Sequence, residues 1–273
     1  MSSTGSGTGD RYTHGHHESV LRSHSWRTVE NSAGYLIPDL VSGATVLDVG
    51  CGPGTITVDI AARVYPARVI GMDASAEVIA KAIELAAERD VDNVEFVVGN
   101  AYELDYEDGA FDIVHAHQVL QHVSNPVGML RELRRVRATD GVVAARDVDY
   151  GACFWYPDSA GLERWLEVLS AVQRSNDGEP DAGRRLKAWA RDAGFADVSS
   201  TASIWAFNSE ADREWWGSLW ETRMLQSALA VDAIDTGLAS QDDLIDISRA
   251  WRDWINEPDG WFAMPHGEIL CRG

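Results

Sequence analysis

Apolar residues recur along the first half of the chain in short strand-like runs separated by segments with helical periodicity. The run from Val46 to Val49 predicts a first strand, followed by a glycine turn and a helix over about 54 to 64. Because strands that alternate with helices form parallel sheets, the rhythm predicts an α/β fold with a doubly wound, mostly parallel sheet. The further predicted strands are Arg68–Met72, Val94–Val98, Phe111–Ala116 and Val142–Val148, with helices over about 75–89 and 126–137.

A different pattern begins after residue 150. Helices are predicted over 161–173 and 182–193, a strand near 197–207, two tryptophan-rich amphipathic helices, and a last strand over 261–272. Of the 11 tryptophans, Trp26 alone lies in the first 150 residues. Helical spacing predicts that most of the others pack on buried faces. Before the first strand, residues 1 to 10 are a polar tail, and a polar helix is predicted over about 18 to 42.

Charge and cysteine usage narrow the class of protein. Lys and Arg number 23 against 43 Asp and Glu, a formal net charge of −20, which would repel nucleic-acid phosphates or an anionic membrane. Cys51, Cys153 and Cys271 are far apart and lack metal-ligand or redox spacing. The N-terminus has no apolar stretch. We therefore expect a cytoplasmic protein with no membrane insertion and no nucleic-acid partner.

The strongest chemical signal is the turn Asp48-Val49-Gly50-Cys51-Gly52-Pro53-Gly54-Thr55, between the first strand and the first helix. Glycine permits left-handed backbone and close ligand approach, and the following helix N-terminus offers amide donors. The spacing is GxGxG after an acid, unlike the GxGxxG dinucleotide fingerprint. Asp73 ends the second strand, where an acid can accept hydrogen bonds from both ribose hydroxyls of a nucleoside cofactor. Its structural alternative is to cap the next helix.

Residues about 44 to 148 resemble the core of the class I S-adenosylmethionine-dependent methyltransferases, whose first motif is an acid followed by GxGxG. The resemblance implies a Rossmann-like, seven-stranded sheet and S-adenosylmethionine as cofactor, with S-adenosylhomocysteine as product. Tyr12 and the helix from Ser19 resemble the N-terminal cap of the ubiquinone/menaquinone C-methyltransferase-like small-molecule group. Residues 26 to 33 resemble its actinobacterial and fungal members, some of which S-methylate dithiol metabolites.

The same resemblance implies positions that bind the cofactor. Asn100-Ala101 matches the acid-Ala pair that holds the adenine amine, with Asn in place of the usual Asp, and a turn-forming Asn is the alternative. His117 and Gln118 would flank the methionine part at the end of the fourth strand. The predicted cofactor-binding residues are Tyr12, Asp48, Gly50, Cys51, Gly52, Thr55, Asp73, Ala74, Asn100, Ala101, His117 and Gln118.

Two residues are candidates for catalysis. Methyl transfer from a sulfonium needs a base only when the acceptor must lose a proton. His122 and Asp147 match positions that hold a His and an Asp facing the acceptor in some small-molecule relatives, and such a pair could deprotonate a hydroxyl, a thiol or an acidic carbon. Structural roles are the alternative for both. The histidines at 14, 16 and 17 lack the other ligands of a metal site, so no metal is predicted.

The sequence thus predicts a methyltransferase that acts on a small molecule, with an O, S, N or C acceptor atom and the oligomeric state left open. Residues 1–43 would form a tail and cap helix, and 44–150 the cofactor-binding core. Residues 151–273 would complete the sheet and carry two helical lid insertions, about 151–181 and 208–258. The alternatives are a nucleotide-cofactor oxidoreductase on a similar sheet and a catalytically inactive binding protein.

Overall fold

The computed structural model describes residues 26 to 273, and its sheet confirms the predicted α/β architecture. Strands β1 to β5 run parallel, with β1 between β2 and β4. β8 is antiparallel to β5, and β7 pairs with β8 on the other side. The strands are β1 (Val46–Val49), β2 (Val69–Asp73), β3 (Val94–Val98), β4 (Phe111–His117), β5 (Arg137–Val148), β6 (Phe154–Tyr156), β7 (Asp197–Phe207) and β8 (Trp261–Arg272).

The sheet has eight strands where seven were predicted, because β6 adds a short edge pairing with β8. Phe154 and Tyr156 are exposed, whereas Trp155 turns inward and stacks on Phe262 with ring centroids 6.0 Å apart. Three residues are too few to give a detectable alternation in a sequence. The extra strand extends the antiparallel part of the sheet and leaves the predicted class unchanged.

Helices pack on both faces of the sheet, and serine side chains begin several of them. Ser209 and Ser240, for example, form reciprocal capping boxes with Asp212 and Asp243. No helix within residues 26–273 is long and apolar enough to cross a bilayer. The helices are α1 (Val29–Ser32), α2 (Thr55–Val64), α3 (Ala76–Glu88), α4 (Pro126–Val136), α5 (Ala160–Ser175), α6 (Ala182–Asp192), α7 (Glu210–Gln226), α8 (Ala228–Asp235) and α9 (Gln241–Ile255).

The predicted continuous helix over about 18 to 42 is wrong for its described part. Thr28 begins α1 by accepting the N–H of Asn31, and this helix lasts a single turn. Ala33, with φ −136°, then leads into a 3₁₀ turn from Gly34 to Asp39. Tyr12, the histidines at 14 to 17 and the first part of the predicted helix lie outside the described residues.

The predicted lid helices share one aromatic core with β7 and β8. Helices α5, α7, α8 and α9 bury their apolar faces together against Phe207 and Phe262. Trp165 lies at the centre, with its ring centroid 4.7 Å from that of Trp220 and 5.1 Å from that of Trp251. The prediction that these tryptophans pack on buried faces is confirmed for Trp165, Trp216, Trp220, Trp251 and Trp254.

Replacing Trp165 with alanine is expected to lower the free energy of unfolding by about 3 to 5 kcal/mol, because a fully buried aromatic ring leaves a cavity. Urea denaturation measures the change. Trp261→Ala is the matched control, since that ring is 41% exposed at the β8 end and contacts the exposed Phe154. A loss below about 1 kcal/mol is expected for the control. Equal losses in both variants would contradict a central role for Trp165.

Candidate functional site

The glycine-rich turn leaves β1 at the carboxyl end of the sheet and enters α2. Gly50 and Gly54 have φ values of +71° and +82°, which side chains disfavour. The N–H groups of Gly50 and Cys51 both donate to the carbonyl of Met72, at 2.7 and 3.0 Å, tying the turn to β2. A Cβ at Gly50 would lie 2.3 Å from a methyl carbon of Val119. The turn therefore requires glycine for both its backbone angles and its packing.

Asp48 holds the base of this turn through bonds within the protein. Its Oδ2 accepts the Thr57 hydroxyl at 2.6 Å, and its Oδ1 accepts the Nδ1–H of His115 at 2.7 Å. Both Asp48 and His115 are buried. The carboxylate thus links β1 to α2 and β4, which makes it a positioning group for the turn. His115 carries no signal in the sequence beyond its place in β4.

Asp73, at the end of β2, faces the turn. Its Oδ2 accepts the N–H of Gly52 at 3.1 Å, and its Oδ1 accepts the N–H of Ser75 at 3.0 Å. Ser75, rather than Asp73, is the N-cap of α3. A carboxylate oxygen has two lone pairs, so each oxygen keeps one for a further donor. Two such acceptors beside a glycine turn fit the two hydroxyls of a ribose.

The remaining predicted cofactor positions surround this turn. Ala74 is exposed after β2, and Thr55 is the first residue of α2. Burial raises the pKa of the Cys51 thiol, so this residue contributes its backbone rather than a thiolate. Asn100 is exposed after β3, next to Ala101, and its Oδ1 accepts the N–H of Tyr102 at 3.0 Å. This Asn forms a turn as the structural alternative predicts, and its side-chain N–H₂ group is a hydrogen-bond donor.

The end of β4 carries His117, whose ring nitrogens have no hydrogen-bond partner among the described residues, and Gln118, which joins a polar network. Gln118 has φ +53°, and its side-chain oxygen accepts a hydrogen bond from Arg27 at 2.7 Å. Its amide nitrogen donates to Nε2 of His266 at 2.8 Å, and Nδ1 of His266 donates to the carbonyl of Met264. This chain of bonds joins the N-terminal segment to β4 and β8. It also requires a neutral His266, in agreement with the lowered pKa that burial gives it.

The two candidate catalytic residues lie near each other but do not form a His–Asp pair. Asp147 is fully buried at the end of β5, and its Oδ1 accepts the backbone N–H of Gln121 at 3.1 Å. Its Oδ2 has no hydrogen-bond partner among the described residues. The side-chain amide of Gln121 instead donates to Nε2 of His122 at 2.9 Å. Gln121 thus contacts both groups, through its backbone N–H and its side chain, and the catalytic role of each stays a prediction.

A buried arginine, Arg146, lies beside His117 and was not predicted from the sequence as a site residue. Arg146 on β5 pairs in register with His117, and its Nε donates to Ser203 Oγ at 3.1 Å and to Glu268 Oε1 at 3.3 Å. Its guanidinium carbon lies 4.8 Å from the ring centroid of Trp205. A charged residue inside the apolar run Val142–Val148 was the available signal, since such a strand is expected to be buried on both faces.

The sheet has the strand order 3-2-1-4-5 followed by antiparallel strands, with a glycine turn after β1 and an acid at the end of β2. These features define a class I S-adenosylmethionine-dependent methyltransferase. A methyltransferase domain model matches residues 40–194. An uncharacterized methyltransferase from Schizosaccharomyces pombe is 33% identical over 269 residues, which cover 96% of each chain. The chain belongs to the methyltransferase domain family. Family membership also sets aside the oxidoreductase alternative.

Two further comparisons concern the group of methyltransferases that the chain resembles and its fold. A demethylmenaquinone methyltransferase from Lactococcus lactis is 29% identical over 172 residues, covering 58% of this chain and 68% of the relative. The crystal structure of the YcgJ protein from Bacillus subtilis superposes with a TM-score of 0.55 at 19% identity, covering 92% of this chain and 98% of that one. The first supports the menaquinone-methyltransferase-like resemblance, and the second supports the fold.

Proposed function

We propose that this methyltransferase modifies a small-molecule acceptor and that Asp147 removes the proton that the acceptor loses. The observation that carries the proposal is the state of the Asp147 carboxylate. It is buried at the carboxyl end of β5, where α/β sheets bind ligands, and one of its oxygens has no partner among the described residues. An ionisable group with an unused oxygen in such a place is a candidate for proton transfer.

The surroundings of Asp147 tune it for this role. Burial raises its pKa from 3.8 to about 7, against smaller effects of the Gln121 and Leu120 backbone N–H groups and of the Arg146 and Arg27 charges, which all lower it. A base works best with a pKa near the operating pH. Among the described residues, the side-chain oxygens of Gln121 and Gln173 are likewise buried without partners. Such a cluster of hydrogen-bond acceptors favours an O–H, S–H or N–H group on the bound molecule.

His122 is less suited to accept the proton. Burial lowers its pKa to about 3, so its ring is neutral and weakly basic near pH 7. We assign it a positioning role through Gln121, whose backbone N–H holds Asp147. Its replacement by asparagine is then expected to affect turnover less than a change at Asp147.

The geometry of the glycine turn supports a cofactor site at this place. Asp73 would accept both ribose hydroxyls, and Gly50, Cys51, Gly52 and Thr55 would line the turn that Asp48 supports. Asn100 and Ala101 would face the adenine, with Ala74 beside Asp73. His117 and Gln118 would flank the methionine part, whereas Tyr12 lies outside the described residues. When bound there, S-adenosylmethionine supplies an electrophilic methyl group on a sulfonium.

The acceptor is assigned to the space between the sheet end and the predicted lid segments, 151–181 and 208–258. The shared aromatic core of these segments supports treating them as one roof. A net charge of −20 disfavours nucleic acid as a partner. All three cysteines are free thiols, which supports the cytoplasm as the compartment.

The proposed base makes turnover pH-dependent. Because Asp147 must be deprotonated to accept a proton, kcat is expected to rise with pH through an apparent pKa near 7 and then level off. Initial rates between about pH 5.5 and 8.5, with saturating cofactor, measure this. A flat profile when chemistry limits the rate would contradict the assignment.

Turnover itself is tested by incubating the protein with S-adenosylmethionine and a panel of thiols, phenols and quinones. Mass spectrometry should detect a product heavier by one methylene unit together with S-adenosylhomocysteine in equal amount. Binding of S-adenosylhomocysteine without product from any class of acceptor would contradict the small-molecule assignment and favour a binding protein.

A further inference from the structure

The interior beside β4 and β5 contains hydrogen-bond donors that nothing in the described chain satisfies. Arg146 is 1% exposed, yet its Nη1 and Nη2 have no partner among residues 26–273. Both ring nitrogens of His117 and the hydroxyl of Tyr35 are buried without partners as well. Leaving buried polar groups unpaired costs free energy, and more so for a charged group. An unmatched guanidinium in the core therefore indicates a ligand.

Contacts at Nε and at one face fix the orientation of the Arg146 guanidinium. Its Nε is occupied by Ser203 and Glu268, and its plane rests on the ring of Trp205. These contacts leave the edge formed by Nη1 and Nη2, which is the edge that binds a carboxylate or a phosphate with two parallel hydrogen bonds. Thr201 and Ser203 also donate to Glu268, at 2.7 and 2.5 Å, so this acid is satisfied by three neighbours.

A second guanidinium and an imidazole lie beside the same Trp205 ring as Arg146. Arg27 lies 5.6 Å from the Trp205 centroid, and His117 lies 5.8 Å from it. Burial and the neighbouring arginines lower the pKa of His117 well below its usual value, so its ring is neutral and offers one N–H donor. Glu268 is the acid in direct contact with the Arg146 guanidinium, and Asp147 is a second carboxyl group on which the charges of Arg146 and Arg27 act.

The position of Arg146 separates it from the predicted cofactor site. The glycine turn and Asp73 belong to β1 and β2, whereas Arg146 extends from β5 toward Ser203 and Trp205 of β7 and Glu268 of β8. Trp26 packs edge-on against Trp205, with ring centroids 5.2 Å apart. The guanidinium thus lies on the β7 and β8 side of the sheet, away from β1 and β2.

We propose that Arg146, assisted by Tyr35, binds an acidic group of the methyl acceptor, a carboxylate or an equivalent planar oxyanion. The inference rests on the proposed function, since it names a chemical class for the same acceptor. The acceptor would thus carry two features: an acidic group bound by Arg146, and a proton-bearing atom that reaches the cofactor methyl group.

The test uses the full chain saturated with S-adenosylhomocysteine and three probe acids of increasing size: acetate, benzoate and 1-naphthoate. Calorimetric titration of each acid and its neutral amide should show at least one acid binding tenfold or more tighter than its amide. Arg146→Met should abolish this preference, and Arg146→Lys should retain only part of it, because an ammonium lacks the two-pronged geometry. If no acid binds better than its amide to the wild type, the proposal is wrong.

Two controls separate this result from loss of folding. Arg223→Met removes another buried arginine whose guanidinium lies 5.1 Å from a tryptophan centroid, that of Trp220 in α7. It should leave the acid preference unchanged. Arg146→Met combined with Glu268→Gln removes both charges of the buried pair, so it avoids an isolated buried carboxylate. This double variant should also lose the preference while it still binds S-adenosylhomocysteine.

A last comparison distinguishes the acceptor from the cofactor as the source of the acidic group. S-adenosylhomocysteine carries an amino-acid carboxylate, and 5′-methylthioadenosine does not. The affinity ratio of these two ligands should be the same in the wild type and in Arg146→Met. If the wild type prefers S-adenosylhomocysteine and Arg146→Met binds the two ligands equally, Arg146 binds the cofactor carboxylate and the proposal for the acceptor is wrong. If the wild type binds neither ligand, the proposed function itself fails, and that result is independent of the acid titrations.

Discussion

Asp147→Asn is expected to lower kcat by roughly 10²- to 10⁴-fold, the usual contribution of a positioned general base. Asparagine keeps the shape of the side chain and can still accept the backbone N–H of Gln121, but it cannot take a proton. Affinity for S-adenosylhomocysteine should change little, because Asp147 lies on β5 and the glycine turn follows β1. Rates with an acceptor identified from the panel, together with calorimetry of cofactor binding, measure both effects.

Asp147→Asn is also expected to change how the free energy of unfolding depends on pH. The pKa of Asp147 is raised from 3.8 to about 7 in the folded protein, so folding favours its protonated form. Stability is therefore present at low pH and is lost as pH rises through 7, by on the order of 4 kcal/mol for a shift of this size. Asp147→Asn lacks this loss, and it should be more stable than the wild type at pH 8 but not at pH 4.

Asp149→Asn is the matched control, two residues further along. Asp149 is engaged by the side chain and the backbone N–H of Arg184, so it is a structural carboxylate. Its replacement should reduce stability and leave the pH profile of turnover unchanged. Unchanged turnover in Asp147→Asn would assign Asp147 to structure, and a loss of equal size in both variants would point to a general effect on packing.

Much of the fold could be predicted because its signals are local. Apolar runs of strand length, helical stripes such as that of α9, and a turn that requires glycine each appear within a dozen residues of sequence. The errors have physical reasons. Helix α8 was not predicted, because its apolar residues Val231 and Ile234 are exposed and the helix has no single apolar stripe. The helix predicted across Ala33 fails because the chain turns there, before Gly34.

The cofactor side of the site was accessible from the sequence, whereas most of the acceptor side was not. Asp48 and Asp73 stand at fixed places beside a recognisable turn. Arg146, by contrast, acquires its surroundings from β7, β8 and the N-terminal segment, which are more than 50 residues away in either direction. Likewise, the separation of Asp147 from His122 depends on Gln121, whose backbone and side chain face different partners. Such contacts are set by tertiary packing, which periodicity does not encode.

Asp73→Ala is expected to weaken cofactor binding strongly without unfolding the chain. Each hydrogen bond from a ribose hydroxyl to this carboxylate is worth about 1 to 3 kcal/mol. Loss of both, about 2 to 6 kcal/mol, corresponds to roughly 30-fold weaker affinity or more. Titration of S-adenosylhomocysteine measures the change, and Asp92→Ala, an exposed acid before β3, is the control that should bind normally.

A second ligand distinguishes contact with the ribose from a loosened turn. Asp73 also accepts the N–H of Gly52, so its removal alters the turn as well as the ribose site. Wild-type protein should bind the 2′-deoxy analogue of S-adenosylhomocysteine more weakly than the parent compound, since one hydroxyl has lost its acceptor. In Asp73→Ala this difference should vanish, because the partner of that hydroxyl is gone, and the four affinities form a double-mutant cycle. If the variant still discriminates as the wild type does, Asp73 acts on the turn alone and the ribose is bound by another group.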